Sequence, residues 1–390
     1  MKILHITPSY FPATYWGGPI FSVMYLNNTL ASLPEVELKV LTTDTAGTRI
    51  SDRLDISKLD RKWYPEQEVI FTRRIAVASV SPGLLKRMPD LIRWADVVHL
   101  TATYSFPTIP TILACRVFGK PLVWSLRGAI MDDDAWMCLR KKRLKSLWLK
   151  LCNALIYRDR VCLHVTSEQE KTVSMHRLPN ADTAIVKNGV NVPSSLPNRK
   201  WRPEGRLRLL FMGRFAPKKG IENLLDAMKV LKAAPNITLN LCGTGEQEYT
   251  AGLIARSEKL ILPDSRVHFS GHVDGEAKVS AFLNADICVV PSFSENFCIV
   301  VAEALAFGVP VIVSSGLPQW QEVVKYGCGL WVKNDPQTLA QAILKMREFD
   351  LPDMGEKGRQ WMKKEFSWEA IGKEMLKVYK QLVKEKFHAC

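Results

Sequence analysis

The chain has no apolar run approaching the roughly 18 residues that a membrane-spanning helix needs. Its opening, MKILHITPSYFP, offers one lysine and a short apolar run stopped at Pro8, too little for a secretory signal. The nine cysteines are scattered, odd in number and never spaced as CxxC. That excludes the patterns of a zinc site and of a disulfide framework. No repeat of solenoid period and no low-complexity stretch occurs. No GxGxxG follows the first apolar run, so a dinucleotide cofactor is not expected. Together these absences predict a cytoplasmic globular protein.

What is present is 390 residues, of which 47% are apolar and 24% charged. That length exceeds the size at which single cores stop growing, so two domains are expected. The net charge of +14 is uneven: residues 1–200 hold 28 Lys and Arg against 17 Asp and Glu, residues 201–390 hold 25 against 22. A basic first half suits nucleic acid, anionic lipid or a phosphorylated substrate.

Short β-rich runs alternate with helical patterns. KILHIT, ELKVLTTD, ADVVHLT, PLVWSL and VCLHVTS read as strands in the first half; RLLFMGR, ITLNLCG, VHFSGH, DICVVPS, PVIVSS and GLWV follow in the second. This is the βαβ signature of parallel sheets covered on both faces. Pro, Ser and charge crowd together over 192–206, a linker composition. The expected architecture is α/β, two doubly wound Rossmann-like domains facing across a cleft. The expected spans are 1–195, 196–366 and a final helix over 367–390 that packs back on the first domain. In such sheets ligands bind beyond the carboxyl ends of the strands.

Three stretches carry chemistry. In ICVVPSFSENFCIVVAE a strand ends near Ser292, a loop holds Glu295, and a helix is expected from about Asn296 to Gly308. Its first amides, at Phe297, Cys298 and Ile299, form an anion site. Glu303 sits in the apolar run IVVAEALAF, where a carboxylate needs a partner such as two ribose hydroxyls. In LLFMGRFAPKKGI, Arg214 and Lys219 flank a strand-to-helix loop and suit a diphosphate. In WGGP, Gly17 and Gly18 let the backbone approach a phosphate or sugar closely.

These stretches, with GTGEQE at 243–248, FSGHV at 269–273 and NGVNVP at 188–193, resemble glycosyltransferase family four, above all in the paired glutamates of PSFSENFCIVVAEALAFGVPVI. The resemblance runs through nearly the whole chain in order. It implies a GT-B fold, retention of anomeric configuration and no metal. By the same resemblance Arg214 and Lys219 hold the donor diphosphate and Glu303 the ribose. Glu295 contacts the transferred sugar beside the amides of 297–299. Gly243 belongs to the donor site, Val273 lines the base, and Gly18 approaches from the other domain. The first domain departs from the commonest family pattern: His99 is followed by Thr101 rather than a second histidine, and Arg127 stands where many relatives have His. His99, Thr101 and Arg127 are the acceptor-side candidates, with Arg127 a catalytic candidate beside Glu295, Arg214 and Lys219.

The Asp-x-Asp in MDDDAW, at Asp132 and Asp134, reads as acids favouring a helix N-terminus rather than a metal site. The basic helix of 139–157 is expected to lay Leu144, Leu147, Trp148, Leu151 and Leu155 on the first sheet, with Arg140, Lys141, Lys142, Arg143 and Lys145 at its edge. The expected activity is transfer of a hexose-type sugar from a nucleotide-diphosphate sugar to a glycan, lipid-linked, in cell-surface polysaccharide biosynthesis such as lipopolysaccharide, O-antigen, capsule or exopolysaccharide. No cofactor beyond that co-substrate is expected. The anionic inner face of the membrane is the expected peripheral partner. The rivals are an epimerase or hydrolase of the same fold and a basic nucleic-acid binder; no nucleic-acid recognition module is visible.

Overall fold

Among the described residues thirteen strands form two sheets in which every strand pair is parallel. The computed structural model describes all residues except 132–138, 158, 235, 260–265, 296 and 385–390, and leaves aside the side chains of 139–142 and 318. In the first half the strands are β1 (Lys2–Ile6), β2 (Glu37–Thr43), β3 (Gln67–Thr72), β4 (Val97–Thr101), β5 (Leu122–Ser125), β6 (Val161–Val165) and β7 (Asp182–Ile185). They assemble in the order β3-β2-β1-β4-β5-β6-β7. In the second half they are β8 (Leu207–Met212), β9 (Ile237–Cys242), β10 (Val267–Gly271), β11 (Ile287–Val290), β12 (Val311–Ser314) and β13 (Gly329–Val332), in the order β10-β9-β8-β11-β12-β13.

The inner strands are the apolar runs legible in the sequence. VCLHV, LVWS, ICVV and VIVS are buried at every position, as strands covered on both faces must be. The two strands that no apolar run announced, β3 and β7, are the edges of the first sheet and are half-exposed along most of their length. An edge strand needs no continuous apolar run.

The chain divides into two units. The first is Met1–Gly189 with the chain from Trp368 onward, the second Val190–Ser367. The final helix, Trp368–Lys384, gives Trp368, Ile371, Met375, Leu376 and Tyr379 to one core of the first unit, beside Ile3, Val23 and Leu26. Gly372 lies against Thr29 of the helix Gly18–Ala31.

The basic helix, Leu139–Leu155, departs from expectation. Its buried face is Leu149 and Cys152, continued by Ile156 just beyond it, with Trp148 and Leu155 partly buried at the margin. Leu144, Leu147 and Leu151 are exposed. At about 100° per residue the buried face is turned well away from the expected stripe. The apolar arc of this helix is wider than its neighbours can cover, and the sheet took the other part of it. The side chains of Arg140, Lys141 and Lys142 lie outside the described residues.

Candidate functional site

The strand order of the second unit reverses between β8 and β11. Open parallel sheets bind ligands at such a switch point. The loops that leave these two strands are tied together: the Phe293 N–H donates to the Lys218 carbonyl at 2.8 Å. Gly220, at φ +64°, lies so close to Pro291 that an added Cβ would stand 2.2 Å from the Pro291 carbonyl oxygen. Only glycine fits. This contact carries Lys219 to Glu295, and the ammonium pairs with Glu295 Oε1. The Ser292 hydroxyl donates to the same oxygen at 3.3 Å. Both charged side chains are largely covered, while Arg214 on the same loop is exposed.

The neighbouring strand ends are laced in the same way. The Gly213 N–H donates to the Cys242 carbonyl and the Gly243 N–H to the Gly271 carbonyl. A Cβ at Gly243 would stand 1.9 Å from the Gly213 carbonyl oxygen, so this approach alone requires a glycine there.

The helix after β11 runs Ile299–Ala306, starting later than the sequence suggested; Asn296 lies outside the described residues. Cys298 caps it in the left-handed region at φ +57°. Phe297 and Cys298 are buried, and the Trp320 indole N–H donates to the Phe297 carbonyl at 2.6 Å. Burial pushes the Cys298 thiol up to about 12, so it stays protonated at neutral pH. One turn into the helix, Glu303 Oε1 accepts from the Lys278 ammonium at 2.6 Å. Its other oxygen, Oε2, is buried with no partner among the described residues. Val273 packs on the core that also holds Val301 and Ala302 of this helix.

In the first unit the loop after β1 places Gly17 at φ +68°, with Gly18 opening the helix; a Cβ at either would meet open space. His99 is fully buried and both its ring nitrogens are occupied. The Val186 carbonyl can only accept, so His164 Nε2–H donates to it at 2.9 Å. The rest of the chain of bonds follows from that direction. Tyr379 O–H donates to His99 Nδ1 (2.6 Å), His99 Nε2–H to Ser125 Oγ (2.5 Å), and Ser125 O–H to His164 Nδ1 (2.5 Å). Burial lowers the pKa of His99 well below the usual histidine range, and the ring is a structural one. Thr101 donates to His5 Nε2 at 2.8 Å, while His5 Nδ1–H donates to Asn27 Oδ1 at 2.7 Å.

Arg127, two residues beyond β5, lies in the left-handed region at φ +52°, a conformation that costs energy outside glycine and collects at functional sites. Its Nη1 donates to Asn188 Oδ1. Burial brings its pKa down to about 10, against the pull of the nearby Glu170 carboxylate, so it remains a cation. Among the described residues no group of three His, Cys, Asp or Glu is placed to hold a metal ion. Asp132 and Asp134 lie outside them. No described helix is long and apolar enough to cross a membrane.

The family model of glycosyl transferases group 1 matches residues 196–364, which contain every second-unit residue just described. A phosphatidyl-myo-inositol mannosyltransferase of Mycobacterium leprae is 30% identical over 324 residues, 78% of this chain and 79% of its own length. This chain is a group 1 glycosyltransferase. An uncharacterized glycosyltransferase of Methanocaldococcus jannaschii is 30% identical over 236 residues, 55% of this chain, and the match spans only 58% of that relative. Anabaena HepE in complex with UDP has the same fold, with a TM-score of 0.72 at 18% identity, covering 98% of this chain and 100% of that one. The fold is GT-B.

The structure of this glycosyltransferase brings Lys219 and Glu295 together, and it places Glu303 one turn into the adjoining helix. Sequence reasoning missed Lys278, the partner of Glu303, and Glu170. The latter is fully buried, accepting from the Gly128 amide at one oxygen and from the Thr166 amide and hydroxyl at the other. A glutamate after a Ser N-cap, as in SEQE, reads locally as a capping residue, and the Glu170 N–H does donate to Ser167 Oγ.

Proposed function

We propose that this glycosyltransferase moves a hexose-type sugar from a nucleoside-diphosphate sugar to a lipid-linked glycan in cell-surface polysaccharide assembly, with retention of configuration and without a metal. The observation that carries the reading is the Lys219–Glu295 pair at the switch point of the second unit, together with a Glu303 carboxylate one of whose oxygens is buried and has no partner among the described residues. As the bond from sugar to diphosphate breaks, negative charge grows on the leaving phosphate. Lys219, Arg214 and the amides at Phe297, Cys298 and Ile299 are the groups that answer that charge. They take the place of a divalent cation. Glu295, released from Lys219 as the diphosphate engages the ammonium, accepts hydroxyls of the transferred sugar. Glu303 Oε2 accepts from the ribose. Gly18 and Arg127 serve from the first unit, Arg127 as a cation toward the reacting phosphate and acceptor. The UDP bound by the Anabaena relative and the lipid named in the mycobacterial one support a nucleotide donor and a lipid acceptor.

The test is calorimetry with UDP, GDP and their nucleosides. Lys219→Ala and Arg214→Ala should weaken the better-bound diphosphate and leave its nucleoside unchanged. Equal losses for both would make these cations structural and remove the basis of the reading.

A further inference from the structure

The exposed face of the helix Leu139–Leu155 carries an apolar stripe. Leu144 is 60% exposed, Leu147 65% and Leu151 47%. Spacings of three and four residues put them on one side of the helix, and the exposed Ala154 extends the row. Arg143 and Lys150, both exposed, fall beside the stripe on the same turns. The whole helix has six Lys and Arg and no acid. A solitary exposed leucine needs no explanation, but three in a row, with cations along one flank and no acid anywhere on the helix, do not make a solvated helix face. We propose that this face docks on an anionic lipid bilayer, with the leucines entering the boundary between headgroups and acyl chains while Arg143 and Lys150 engage lipid phosphates.

Charge chooses this occupant. A second copy of the chain would bring Arg143 and Lys150 of each copy, four like charges, together across a two-fold contact. The first unit as a whole carries 31 Lys and Arg against 20 Asp and Glu, where the second carries 22 against 19. An anionic surface matches both the stripe and its flanks. Long basic side chains beside buried aliphatic ones hold an interfacial helix at phosphate depth. The inference deepens the lipid-linked acceptor reading, and the two fail separately: transfer to a soluble acceptor analogue tests the first, membrane binding the second.

Binding then has two parts. Attraction by the cations fades with salt; burial of the leucines does not. The experiment is sedimentation of the full chain with vesicles of phosphatidylcholine, with and without phosphatidylglycerol, at low and high salt. Wild type should bind the anionic vesicles at low salt and keep a bound fraction at high salt. The triple variant Leu144→Ser/Leu147→Ser/Leu151→Ser should lose that salt-resistant fraction at least tenfold while still being recruited at low salt. Arg143→Gln/Lys150→Gln should bind anionic vesicles on the order of tenfold more weakly at low salt. Both variants change exposed side chains, so their melting temperatures and their transfer to a soluble analogue should match wild type. The proposal is overturned if wild type does not sediment with anionic vesicles at low salt. It is equally overturned if the leucine variant binds like wild type at high salt, or if wild type is a dimer that the leucine substitutions dissociate.

Discussion

Each of the two carboxylates at the second unit's switch point has a lysine on one of its oxygens: Lys219 on Glu295 and Lys278 on Glu303. A charge kept out of water needs such a partner. Glu303→Ala should therefore cost nucleoside affinity through the lost ribose contact, by about 1.5–3 kcal/mol, read by calorimetry. Lys278→Met should weaken the same affinity without touching the nucleoside, because it leaves Glu303 without its cation. An unchanged affinity in either folded variant would detach this pair from the nucleotide. Glu295→Gln should instead lower turnover more than affinity. At the same scale, the buried histidines set a pH dependence. Burial holds His5 at about 4 and His164 at about 3, where the unfolded chain would protonate them near 6.5. A folded value depressed in this way withdraws stability as the pH falls below the unfolded value, at about 1.4 kcal/mol per unit for each ring. The melting temperature should thus drop between pH 7 and pH 5, and His164→Asn should show a shallower drop. An identical slope would mean that His164 is not held neutral.

Elements are held in place here by close backbone approaches and by one buried relay. Gly220→Ala forces a Cβ toward the Pro291 carbonyl and should push the Lys219 loop off Glu295, lowering turnover while the chain remains folded by circular dichroism. Wild-type turnover would mean that the loop contact does not set the ion pair. Tyr379→Phe removes the donor to His99 Nδ1 and leaves a buried nitrogen unsatisfied, costing about 1–3 kcal/mol, seen as a lower melting temperature; no change would place a water at that nitrogen. Much of this level was legible from residues alone. The inner strands announced themselves as apolar runs, and PSFSENFCIVVAEALAFG showed a strand, a loop glutamate and a helix in order. The edge strands β3 and β7 did not, since half-exposed strands lack that signature. Lys278 was invisible because nothing local ties a helical lysine to a glutamate 25 residues away. The basic helix was misread for a physical reason. Leucines at helical spacing give a face but not its direction, and the sheet took Leu149 and Cys152 instead.

For the whole molecule, membership of the group 1 glycosyltransferases fixes the class of reaction, and the proposed anionic donor accounts for the cations at the second unit's switch point. No metal is needed if Arg214, Lys219 and the amides at Phe297, Cys298 and Ile299 carry the leaving charge, so turnover should survive a chelator. Arg127→Ala should impair transfer while sparing donor affinity if its cation answers the charge that grows on the reacting phosphate rather than holding the nucleoside; full activity would leave its strained backbone without a catalytic reason. The most direct measurement of the central claim is nucleoside diphosphate release from a panel of UDP- and GDP-sugars, in the presence of chelator, with and without a lipid-linked glycan acceptor. The account predicts release that depends on acceptor, persists in chelator and collapses in Glu295→Gln. Release that is equal without acceptor, or equal in Glu295→Gln, would contradict it.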